Sequence, residues 1–307
     1  MSAIERFRDG RPSLTDLGVS RETRDGIVFA LPYLALFTVF LLYPMVKGFY
    51  MSLLDWNEFA PAQSTFIWFE NYVRMFQAPR FWTSLRATVI FVVLTVPTLV
   101  VFGLMLALGV NREIKGGRLL RFVYFSPYVL TVSIVALIWQ ELLAPDYGPV
   151  NYYLGFILES PPAWLNSFTW AMPALALTTI WWTVGFNFVI LLAARQSVPE
   201  RLYEAARLDG ASSWNAFKDI TIPQMRPALV FVTIVQFIVS FQVFGQPFIM
   251  TEGGPGYSTE TLVMYLYRMA FNQGEFGYAA AIGYFLFVLL IGISLINFKF
   301  AGGNDDE

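Results

Sequence analysis

Six stretches of this chain each run for about 20 residues with almost no charge, which excludes most folds. They lie at approximately 27–46, 87–110, 122–142, 171–194, 228–250 and 279–298. A helix of about 20 apolar residues crosses the ~30 Å hydrocarbon core of a bilayer. Backbone polar groups in hydrocarbon must find partners within the segment. The expected class is therefore an all-α integral membrane protein with six transmembrane helices spread over residues 27–298. Composition fits, with 56% of the 307 residues hydrophobic and 14% charged, a balance typical of membrane proteins.

Basic residues orient the spans. With the N-terminus inside, the inner segments carry 15 of the Lys and Arg residues. The outer loops carry five, namely Lys47, Arg74, Arg80, Arg86 and Arg268. This bias places both ends in the cytoplasm: a tail at 1–26, the loop at 195–227 and a second tail at 299–307. The N-terminal tail alternates Arg with acidic residues and is too charged for a secretory signal. The first outer loop is rich in interfacial aromatics, Trp56, Trp68, Tyr72, Phe76 and Trp82. The third contains the turn cluster Thr251-Glu252-Gly253-Gly254-Pro255-Gly256.

The inner loop between the fourth and fifth spans reads as a bracket of two short helices. Leu202, Ala205 and Ala206 recur at helical spacing after Pro199. Glu204 stands three residues from both Arg201 and Arg207 and can pair with either. Asp209-Gly210-Ala211 ends the first helix, with Gly210 in the left-handed region. Ser212 or Ser213 caps the second, whose Trp214 and Phe217 form one bulky apolar face. Ile220 and Pro223 follow, with Pro223 expected to end that helix and Pro227 to begin the next.

Glu204-Ala205-Ala206, three residues, Gly210, nine residues, then Ile220-x-Ile222-Pro223 resembles the EAA loop of permease subunits of binding-protein-dependent ABC importers. With Asp209, Ala211 and Phe217 it looks like the carbohydrate branch; the family has Leu where this chain has Ile222. Further similarities follow in order: Pro127 and Trp139 in the third span, Gly148 and Asn151 after it, Thr251-x-Gly253-Gly254-Pro255, Thr259, Tyr267, Phe271, and Gly277-Tyr278-Ala279-Ala280-Ala281. The resemblance implies a coupling helix that docks on a separate ATPase dimer, which binds ATP and Mg while this chain binds no cofactor. It also implies a second, homologous permease, an extracytoplasmic sugar-binding protein and an inner or plasma membrane location. Glu204 and Gly210 are then the elbow, and Ser212 through Phe217 the contact.

What the chain lacks agrees with a passive role in energetics. It has no Cys and no His, so thiolate chemistry and the commonest general base are absent. No phosphate-binding glycine loop occurs, and the span cores contain no Asp, Glu, Lys or Arg, as a proton relay would need. Neither an enzyme nor a nucleic-acid partner is expected. A stand-alone secondary carrier using backbone carbonyls is the alternative and leaves the bracket unexplained.

A path for a sugar needs amides and aromatic platforms. Gln236 and Ser240 share one face of the fifth span, and Gln242 and Gln246 another about 120° round. One pair lines the path and the other meets a neighbouring helix. Trp181, Trp182 and Asn187 in the fourth span and Tyr284 in the sixth are further candidates, for the path or for packing. Gly185 and Gly292 are expected to permit close helix approach.

Overall fold

The computed structural model describes residues 21–110 and 116–302. Most of the tail expected at 1–26, the inner loop at 111–115 and the last residues of the C-terminal tail lie outside the described residues. Contacts divide the chain into two units, residues 1–51 and 52–307. The first is a helical run of α1 (Arg21–Phe37), a wider π turn at Thr38–Leu42 and α2 (Tyr43–Ser52). The helical stretch Gly26–Ser52 is long and apolar enough for a span, and is longer than the expected 27–46.

The second unit opens with a short antiparallel pair, β1 (Leu54–Asp55) and β2 (Thr65–Phe66), followed by α3 (Glu70–Gln77). Asn71 fixes the start of this ribbon by donating to the carbonyls of Ser52 and Leu54 at 3.0 and 2.9 Å. The membrane elements are α4 (Pro79–Val110), α5 (Gly117–Phe125), α6 (Val132–Leu142), α8 (Ala171–Ser197), α11 (Ile222–Phe241) and α14 (Phe276–Gly302). Short helices join them: α7 (Pro149–Leu154), α9 (Glu200–Leu208), α10 (Ser213–Ala216), α12 (Gly245–Met250) and α13 (Leu262–Tyr267). Among the described residues, five helical stretches are long and apolar enough to cross a membrane, and a bent pair makes a sixth if counted as one span.

That bent pair is the expected third span. α5 passes into a 3₁₀ turn at Ser126–Val129 and meets α6 at 100°. Pro127 lacks an N–H for the helical ladder, and Leu130 and Thr131 are extended. Trp182 of α8 donates its indole N–H to the Leu130 carbonyl at 3.1 Å, so a tertiary contact satisfies the broken backbone.

The fifth span also departs from expectation. Pro223 does not end the second bracket helix. The chain stays helical from α10 through a π turn at Phe217–Thr221 into α11, with Pro223 in its first turn and Pro227 inside it. A proline is tolerated in a first turn, where its missing N–H deprives few carbonyls, and the π turn changes the register just before it. At the other end α11 stops at Phe241, where a continuous helix to Met250 was expected. Gly245 lies so close to Val132 of α6 that an added Cβ would stand 2.6 Å from Val132 Cγ2. The helix is thus interrupted where the chain comes closest to α6.

Three buried clusters hold the second unit together, the largest joining α3, α4, α11, α13 and α14 around Phe81, Leu262 and Ile282. α4 and α8 pack along their length, with Gly103 against Asn187. A Cβ on Gly185 would lie 2.2 Å from the Tyr124 carbonyl oxygen, whereas one on Gly292 would meet nothing within 4 Å. Close approach is therefore confined to the first of these two glycines. Gly185→Ala is expected to lower stability by about 1–3 kcal/mol through overpacking against backbone, and Gly292→Ala to have little effect. Thermal unfolding of the two variants in detergent checks the contrast.

Candidate functional site

The bracket is built by local rules. α9 ends in a paired Schellman closure: Ala211 N–H donates to the Ala206 carbonyl at 2.8 Å and Gly210 N–H to the Arg207 carbonyl at 3.1 Å. Gly210 has φ +76°, which a side chain would strain, and Asp209 and Ala205 are exposed beside it. Ser212 then caps α10, its Oγ accepting from the Asn215 N–H at 3.2 Å, and Ser213 opens the helix. Trp214 is 67% exposed, with its ring 5.4 Å from that of half-buried Phe217. The pairing expected for Glu204 is not formed: Arg207 reaches Glu200 instead, at 3.9 Å, and Glu204 has no ion pair among the described residues.

Two residues that the sequence did not single out lock the bracket to the helices above it. Tyr203 is buried and its hydroxyl lies 2.9 Å from Thr221 Oγ1, tying α9 to the π turn. Arg195, in the last turn of α8, sits over the Tyr203 ring at 4.3 Å. Ile220 packs with Leu202 and Ala216 against the cluster of Phe188, Leu191 and Met225. One helical run therefore joins an exposed aromatic tip to the middle of the bundle.

In the middle of the bundle lies a cavity of about 210 Å³, bounded by α4, α6, α8, α11 and the break after Phe241. Gln236, Ser240, Gln242 and Gln246 all line it, with Trp182, Thr179 and Thr183. The two-face reading of the amides is thus replaced by a single lining, because the interruption after Phe241 changes the helical phase between Gln236 and Gln246. Gln236 Nε2 donates to Asn187 Oδ1 at 2.7 Å, and Gln246 Nε2 to Thr179 Oγ1 at 3.3 Å. Ser240 Oγ accepts from Thr95 at 3.2 Å. Gln242 is exposed beyond the helix end and has no side-chain bond among the described residues. Asn187 is fully buried behind Gln236, and its Nδ2 lacks a partner. Trp181 meets Trp139 edge to face and does not line the cavity. Tyr284 is half-buried on α14 beside Phe287 and does not line the cavity. No charged residue lines the cavity, so it suits hydroxyls and apolar ring faces and not an ion.

The family described as the inner membrane component of binding-protein-dependent transport systems matches residues 72–299. The chain belongs to this family. Among its relatives, the trehalose/maltose transport system permease protein MalF of Thermococcus litoralis is 33% identical, over 91% of this chain and 94% of that protein. The lactose transport system permease protein LacF of Rhizobium radiobacter is 32% identical, over 89% and 93%. A chain of the bacterial alginate ABC transporter, solved in complex with an alginate pentasaccharide-bound periplasmic protein, superposes with a TM-score of 0.78. It is 25% identical, with 89% of this chain and 93% of that chain covered.

In this transport component the start of α4 is held by charge to the segment around α13. Glu260 is fully buried and accepts from Arg80 Nε and Nη2, each at 2.7 Å, and from Arg268 Nη1 at 2.7 Å. Ser84 adds a bond at 3.3 Å, and Arg268 Nη2 also donates to the Glu252 carbonyl at 2.6 Å. Thr251, Thr259 and the Gly254 carbonyl close the glycine-rich turn from inside. Only the turn was legible, since Glu260 lies 180 residues from Arg80 along the chain. Nearby, a hydrogen bond from Arg74 to Glu275 at 2.9 Å pushes the guanidinium above its ordinary pKa. Asn151 supports the loop before α8, donating to the Pro145 and Pro162 carbonyls and accepting from Trp164. Gly148 leaves no room for a Cβ, which would lie 2.4 Å from the Ala144 carbonyl oxygen.

Proposed function

We propose that this chain is the membrane-spanning permease subunit of an ATP-driven importer of a neutral di- or oligosaccharide. It crosses the plasma membrane six times, counting α5 and α6 as one broken span, with both ends and the bracket in the cytoplasm. ATP and Mg bind on a separate ATPase dimer, a second permease completes the pathway, and an extracytoplasmic protein delivers the sugar. The names of the relatives support the substrate class, and the uncharged cavity favours a neutral sugar over an acidic or phosphorylated one.

The observation that carries this reading is the helical run from Trp214 to Gln236. Its ends are separated by 22 residues, or about 33 Å at helical rise. The exposed aromatic tip seats in a groove of the ATPase through Ser212–Phe217, with Glu204–Ala211 as the elbow. Closure of the ATPase pair then moves the cavity wall as part of a stiff lever. In the cavity the amides bind sugar hydroxyls and Trp182 offers a ring face.

Affinity purification of the tagged chain from its native membrane in mild detergent tests the assembly. An ATPase and a second six-span protein are expected to co-purify with ATP hydrolysis. Recovery of the chain alone, still able to move solute in vesicles under an ion gradient, would contradict the reading. Within the cavity, Gln242→Leu removes no internal hydrogen bond and is expected to leave unfolding unchanged. It raises the sugar concentration for half-maximal uptake roughly two- to tenfold, the equivalent of one hydrogen bond. Gln236→Leu also strands Asn187 and costs about 1–3 kcal/mol of stability. Paired uptake and unfolding measurements separate the two.

A further inference from the structure

The elbow of the bracket forms one side of a second, half-open cavity of about 330 Å³, between the ends of α4 and α8 and the two bracket helices. Leu108, Arg195, Tyr203, Arg207, Ser212 and Ser213 are among its walls, and among the described residues no carboxylate lines it. Arg195 is half-buried and makes a ring contact with Tyr203 but no ion pair among the described residues. Arg207 has only the loose, exposed pairing to Glu200 at 3.9 Å, which contributes little. A cation in the last turn of α8 gains from the helix dipole, and that accounts for one guanidinium. It does not account for a second one, that of Arg207, on the wall of the same cavity as the Ser212, Ser213 and Thr221 side chains. Ser212 Oγ accepts a capping bond and keeps its own O–H to donate.

Paired guanidinium forks with hydroxyl donors are suited to a phosphate group. We propose that this cavity binds an anionic phosphate, from a bilayer headgroup or from solution, and that the bound anion braces the elbow by linking α8, α9 and the start of α10. The proposal rests on the cytoplasmic placement of the bracket for its setting, since anionic headgroups and basic pockets meet on that face. A braced elbow transmits motion of the ATPase to α11 with less loss than an empty one.

Native mass spectrometry of the full importer tests it, after purification in detergent with a mixture of phosphatidylglycerol and phosphatidylcholine. Both faces are open in detergent, so the outcome does not depend on orientation. Wild type is expected to retain phosphatidylglycerol in preference to phosphatidylcholine. Arg195→Gln lowers that retention roughly fivefold, at about 1 kcal/mol per basic residue, while Arg195→Lys, which keeps the charge but not the planar fork, lowers it less. Inorganic phosphate is the second arm. If it raises the unfolding temperature of wild type but not of Arg195→Gln, and no lipid is retained, the anion comes from solution and the site stands. Equal retention of the two lipids with no stabilisation by phosphate, or a joint Arg195→Gln, Arg207→Gln variant that matches wild type in both arms, overturns the proposal. So does displacement of the anion when the ATPase seats, because the cavity then belongs to that interface.

Discussion

Changing Trp214 and Phe217 together to alanine is expected to reduce ATP-driven uptake to background while the chain still inserts and folds. The two rings form one tip, tilted against each other at 5.4 Å between centroids, with Trp214 67% exposed. Exposed aromatic anchors of this kind are typical hot spots, each costing about 2 kcal/mol or more when truncated. Two together weaken assembly by roughly a thousandfold, at 1.4 kcal/mol per factor of ten. The anchors that hold the bracket to the bundle, Tyr203 to Thr221 and Ile220 in its cluster, are untouched, so unfolding should hardly change. Gly210→Val acts differently. Space is open around Gly210, but its positive φ strains any side chain by about 1–2 kcal/mol, which tilts the tip without removing it. Partial loss of uptake with the ATPase still bound is the expected result, read by uptake and co-purification. Full uptake in the double variant would contradict the coupling role.

The second large effect lies at the other end of the bundle. Glu260→Ala leaves Arg80 and Arg268 facing each other across a site from which water is largely excluded. Breaking one side of a buried pair costs about 3–5 kcal/mol. The variant is expected to unfold at a markedly lower temperature and to lose the ordered turn before α13. The diagnostic is rescue: combining Glu260→Leu with Arg80→Met and Arg268→Met removes the unpaired charge and restores much of the stability. Arg74→Ala is the matched control, because its pair with Glu275 is more than half exposed on the arginine side and contributes about 0–1 kcal/mol. If Glu260→Ala unfolded like wild type, the triad would have no structural weight.

These contrasts follow how much of the molecule could be read from its residues. The bracket was legible because its geometry is local. A glycine in the left-handed region, a serine cap three residues before its amide partner and helical spacing of Leu202, Ala205 and Ala206 need no knowledge of the rest of the chain. Helix continuity was not legible. Pro223 reads as a stop by the usual rule, and only the π turn before it lets the helix run on. Gln246 was placed on the wrong side because the helix is interrupted after Phe241, where Gly245 meets Val132, more than a hundred residues away in sequence. Glu260 was passed over for the same reason, since its partners on α4 are distant along the chain and near only in the fold. In the third span Pro127 was read only as a family likeness, and the bend goes with a distant contact, the Trp182 indole N–H donated to the freed Leu130 carbonyl.

The most direct measurement is sugar uptake into proteoliposomes that contain this chain with its co-purified partners, supplied with binding protein outside and ATP inside. Uptake that requires ATP, the binding protein and an intact Trp214–Phe217 tip is the predicted result. Uptake by this chain alone, driven by an ion gradient and indifferent to ATP, would contradict it.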